Sequence, residues 1–81
     1  MKKIINNKLY DTSKAIYLTS YIEQSQNQTV HMYKTKNGAY FIVTTTGKEK
    51  ELQLVTEEQV KKCLQCEDVE KYIELFGIIE G

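Results

Sequence analysis

The chain is 81 residues long, 27% of them charged, and balances 11 basic residues against 11 acidic ones. That length gives one domain and one modest core, which favours function on a surface over function in a deep pocket. Every basic residue is lysine, so the bidentate guanine contact that arginine supplies is missing and sequence-specific DNA reading is disfavoured.

The charge is segregated along the chain. Residues 1–50 carry eight lysines against Asp11, Glu23 and Glu49, a net of +5, and residues 51–81 carry Lys61, Lys62 and Lys71 against seven glutamates and Asp68, a net of −5. The opening "MKKIINNKLYD" lacks the apolar core of a signal peptide, and no apolar run approaches the roughly 20 residues of a membrane span. The expectation is a cytoplasmic protein with no membrane partner, in which Cys63 and Cys66 are free thiols.

In chain order, "KKIINNKLYDT" reads as a short hairpin turning at Asn6 and Asn7, residues that tolerate left-handed geometry. "AIYLTSYIE" alternates Ile16, Leu18, Ser20 and Ile22 against Tyr17, Thr19 and Tyr21, the period of a strand with aliphatics inward. A helix from Asp11 or Thr12 is the rival for residues 12–22, and the β-branched and aromatic content favours the strand. "QSQNQT" is a surface loop. "VHMYKTKNGAYFIVTTT" is a hairpin in which Asn37 and Gly38 form a two-residue type I′ turn. That turn pairs Lys34 with Phe41 and Met32 with Val43 on the core face, and Tyr33 with Ile42 and His31 with Thr44 on the other. "ELQLV" adds a strand with Leu52 and Leu54 on one face.

At Thr56 the period changes. "TEEQ" is a capping box, with Glu57 and Glu58 suited to the positive end of a helix. Val60, Cys63 and Leu64 form one apolar stripe, while Val69, Tyr72, Ile73 and Phe76 lie about half a turn out of phase with it. One straight helix cannot bury both against one sheet. The expectation is therefore an α+β domain spanning 1–81: an antiparallel meander of four or five strands over about 2–55, then helices over about 57–65 and 67–76 packed on one face. The break falls near Gln65 and Cys66, and Gly77 stops the second helix.

Three constellations are candidates for function. Cys63 and Cys66 form a CxxC pair, but structural zinc needs four ligands and only His31 is available to join them, so packing is the simpler role and no cofactor is expected. A helix N-terminus at Cys66 would make that thiol reactive. His31 is the single histidine, and no motif brings it to a nucleophile and an acid, so no catalytic residues are assigned. Tyr17, Tyr21, Tyr33 and Tyr40 fall together on the face away from the helices, with His31 beside them, and tyrosine is enriched in binding surfaces. The acidic tail, through Glu67, Asp68, Glu70 and Glu74, with Glu80 beyond, offers a second binding surface that could imitate phosphates. As a solvated helix face it would pair Glu67 with Lys71.

"KIINNKLYDTSKA", "MYKTKNGAYF", "LVTEEQV" and "YIELFG" resemble a pattern in small proteins carried by phages and other mobile elements of low-GC Gram-positive bacteria. That pattern is a lysine-rich hairpin, K-x-Y-D/N-T, Y-x-T-K-x-G-x-Y/W-F, L-T-E-E and a closing F-G; the two cysteines lie outside it. The resemblance implies a setting shared with anti-CRISPR proteins, in the cytoplasm of a bacterial host. The function it implies is that of a non-enzymatic protein, monomer or homodimer, that binds and blocks a larger bacterial protein or nucleoprotein complex of host defence. The alternative is a nucleic-acid-binding accessory protein using Lys2, Lys3, Lys8, Lys34, Lys36, Lys48 and Lys50. A zinc or thiol protein through Cys63 and Cys66 is a third.

Overall fold

In a computed structural model that describes residues 1–77, the chain is a three-layer α+β domain. Strands β1 (Lys2–Ile5) and β2 (Lys8–Asp11) form a separate two-stranded hairpin. Asn6 and Asn7 turn it, with φ of 54° and 64°, the left-handed geometry that asparagine tolerates. β3 (Ile16–Glu23), β4 (Gln28–Lys34), β5 (Tyr40–Thr46) and β6 (Glu49–Val55) make a four-stranded antiparallel meander in chain order. Residues 16–22 are thus strand rather than helix. Helices α1 (Glu57–Glu67) and α2 (Val69–Phe76) follow.

Both faces of the sheet are covered. Val60 and Leu64 of α1 pack on Leu18, Met32 and Tyr40, joined by Tyr72, Leu75 and Phe76 of α2. Opposite, Tyr10 of the hairpin packs on Phe41, Val43 and Leu52. The continuous apolar run Tyr40–Val43 in β5 is the consequence, since a strand buried on both faces does not alternate.

The register of β4 with β5 differs from the expected one by a single residue. Met32 pairs with Ile42, Tyr33 with Phe41, and His31 with Val43. The Thr35 N–H bonds the Ala39 carbonyl at 2.8 Å, leaving a three-residue loop in which Gly38 takes φ 88°. An Asn-Gly pair serves a three-residue loop with a left-handed third residue as well as a two-residue turn, and one step of register transfers every side chain to the other face. Met32 therefore faces the helices, while Phe41 and Val43 face the hairpin. A Cβ at Gly38 would meet nothing within 4 Å, so Gly38→Ala isolates the cost of the left-handed backbone. That cost is about 1–2 kcal/mol, readable as a lower urea midpoint.

The capping box is formed: the Gln59 N–H donates to the Thr56 hydroxyl at 3.2 Å, and the Thr56 N–H to the Gln59 side chain at 2.8 Å. The break between the helices lies at Asp68, slightly later than expected. Cys66 accordingly sits in the last turn of α1 rather than at the start of α2, where no helix N-terminus acts on its thiol. Asp68 caps α2 by accepting from the Lys71 N–H at 3.1 Å, and Gly77, at φ 75°, closes it by donating to the Ile73 carbonyl at 2.9 Å.

Candidate functional site

The bulge in β3 decides where the candidate residues go. Tyr17 pairs with Tyr33 and Thr19 with Met32, so Leu18 is an extra residue and both Leu18 and Thr19 turn toward the helices. The four tyrosines do not share a face. Tyr17 and Tyr33 lie on the hairpin side, where Tyr33 stacks on Phe41 at 5.1 Å between centroids and Tyr17 meets Tyr33 edge-on at 5.6 Å. Tyr21 and Tyr40 lie on the helix side, and Tyr40 is buried under Lys34 and Phe76. An outward row of tyrosines would have required an unbulged β3 and a two-residue turn before β5.

His31 opens onto a small cleft of about 170 Å³ shared with Thr12, Tyr33, Thr45 and Lys50. Among the described residues, no three His, Cys, Asp or Glu side chains converge as a metal ion requires. Cys63 is half-buried beside Tyr21 and Cys66 is exposed. Burial first, then the Cys63 thiol and the charges of Glu23 and Glu67, raise the Tyr21 phenol well above its usual range and keep it neutral.

The acidic residues of the helices have distinct roles. The Thr19 hydroxyl donates to Asp68 Oδ2 at 2.7 Å, tying the α1–α2 junction to the bulge. That bond and the Lys71 N–H hold the Asp68 carboxyl below the usual carboxylate range. A depressed folded pKa stabilises the fold above the unfolded value, and the contribution disappears as pH falls through the folded one. Acidification below the ordinary carboxylate range is therefore expected to lower Tm, and Asp68→Asn, which can still cap α2, should flatten the dependence; an unchanged profile would refute the role. Lys71 pairs with Glu74 at 2.9 Å rather than with Glu67. Glu67 and Glu70 are exposed, and Glu80 lies outside the described residues.

The lysines separate as well. Lys14 and Lys36 line a groove of about 230 Å³ with Leu9 and Ala15, Lys8 lies in the adjoining one, and Lys34 covers Tyr40. Lys48 sits in the β5–β6 turn, and Lys3 reaches the Leu52 carbonyl at 3.5 Å.

The feature that sequence alone does not reveal is an open edge. The alternation of β3 places Ile16 and Ile22 inward, yet they are 54% and 66% exposed, with Tyr17 at 52%. Their strand is outermost in the sheet. The sequence carries no mark of this, because no charged residue of the kind that usually guards an edge occurs from Ala15 to Ile22. Searched against family models, curated proteins and solved structures, the chain matches none of them.

Proposed function

We propose that this chain is a small non-enzymatic interaction protein whose working surface is the β3 edge, and that it acts by occupying a larger bacterial protein. The observation that carries this is three large apolar side chains, Ile16 and Tyr17 at one end of β3 and Ile22 at the other, left half or more exposed on a strand with one neighbour. Exposed apolar surface on an open edge favours association. The resemblance of the sequence to proteins of phages and mobile elements supplies the setting, blockade of a host defence component. No helix among the described residues is long and apolar enough to cross a membrane.

Affinity capture from a low-GC Gram-positive lysate, followed by reconstitution with the purified candidate, tests the role. A stoichiometric complex that inhibits the partner without turnover is expected; a chain that captures no protein, or that consumes a substrate, would overturn it. Nucleic acid is the second reading, favoured by Lys8, Lys14 and Lys36 around the β4–β5 loop. It requires binding that weakens steeply with salt.

A further inference from the structure

The two outer strands of the sheet are protected unequally. β6 presents Glu49, Lys50 and Glu51 in succession, and the Lys3 ammonium reaches its Leu52 carbonyl. Charges along an edge and a covered carbonyl discourage further strand pairing. β3 has no such protection from Ile16 to Ile22 apart from the bulge at Leu18. Beyond the bulge, Thr19–Glu23 pairs with Met32–Gln28 without further irregularity, which leaves its outer backbone groups in register for another strand.

The surroundings select what can pair there. Thr19 and Tyr21 turn to the helix side, where Asp68 is bonded to Thr19 and the charges of Glu23 and Glu67 act on the Tyr21 phenol. Glu70 stands in the first turn of α2, and the Lys71 ammonium, which acts on Asp68, is already paired with Glu74. Ser20 and Ile22 turn to the other side, and Ile22 leaves two thirds of its surface exposed. The helix side of the edge is acidic, and the other side offers the exposed Ile22 beside Ser20 and His31.

We infer that this edge receives an extended segment of the partner as a fifth strand, with lysine or arginine at the alternate positions facing the α1–α2 junction and apolar residues at the positions between. The inference rests on the interaction role proposed above and names the chemistry of its partner. Strand addition takes affinity from main-chain hydrogen bonds and specificity from alternate side chains. A second copy of the chain fits poorly, because antiparallel pairing of two β3 strands would bring two acidic junctions over one seam. Phosphate backbones meet the same repulsion.

The test uses the full-length isotopically labelled chain, titrated with a short synthetic peptide alternating lysine and valine, a glutamate–valine counterpart and a single-stranded oligonucleotide. The lysine peptide should shift the amides of residues 19–23 more than those of β6, and bind roughly tenfold more tightly than the glutamate peptide at low salt. Ile22→Lys should weaken it by roughly tenfold, because it places a charge on the edge, and Glu67→Gln by roughly threefold as one carboxylate is neutralised. Unchanged thermal melts in both variants separate these effects from misfolding. Equal binding of the two peptides, shifts centred on β6, preference for the oligonucleotide, or a chain that sediments as a dimer dissociated by Ile22→Lys would each overturn the inference. Capture of the same host protein by wild type and by Ile22→Lys would overturn it while sparing the interaction role; if wild type captures no protein, the role fails and the peptide titration still decides the edge.

Discussion

Phe41→Ala is expected to cost about 3–5 kcal/mol, a large part of the 5–15 kcal/mol that holds a typical domain together. Phe41 is fully buried, stacks on Tyr33 and takes the edge of Tyr10 at 5.8 Å. It is therefore the residue through which the sheet holds its N-terminal hairpin. Removing the ring leaves a cavity between two layers joined there by few other large side chains, and the rigid tyrosine environment should disappear with it. Urea unfolding and near-UV circular dichroism provide the check. A midpoint shift worth less than about 1 kcal/mol would mean that the hairpin contributes little to the core, contrary to the burial of Tyr10.

Leu64→Ala is the second large effect, at about 2–5 kcal/mol. Leu64 and Val60 are the two fully buried residues of α1, whereas α2 has none and leans on the sheet through the partly buried Tyr72, Leu75 and Phe76. Loosening α1 also frees the Asp68 junction from Thr19. The variant should thus lose lysine-peptide binding at β3 along with stability, while Phe41→Ala should spare binding in whatever fraction stays folded. Equal loss of binding per folded molecule in both variants would show that the acidic junction is not what selects the peptide.

Features written locally in the chain are legible in its sequence. Asn6 and Asn7 specify their turn, Thr56 and Gln59 their cap, Gly77 the end of α2, and the half-turn phase jump the division of the helices. What is not legible depends on counting residues across a gap. Asn37-Gly38 fits loops of two or three residues, and Leu18-Thr19 alternates acceptably with or without a bulge. Each choice moves a set of side chains to the opposite face, and two of them together disperse the expected tyrosine surface. The hairpin layer is hinted at by the unbroken run Tyr40–Val43, whose second buried face needs a cover. That β3 lies at an edge is a property of the whole sheet, and no residue within the strand encodes it.

The pairing of Thr35 with Ala39 makes the second half of the sheet behave as though it had a reading frame. Deleting one residue inside β5, such as Ile42, would act as a frameshift: with composition nearly untouched, β5 would have to turn Val43 to the helices and Thr44 to the hairpin, or give up its pairing with β4. The polar Gln24–Asn27 connection between β3 and β4 has no buried residue of its own and could lengthen without that penalty. Natural variation in chain length should therefore accumulate at that connection and be purged from the strand interiors.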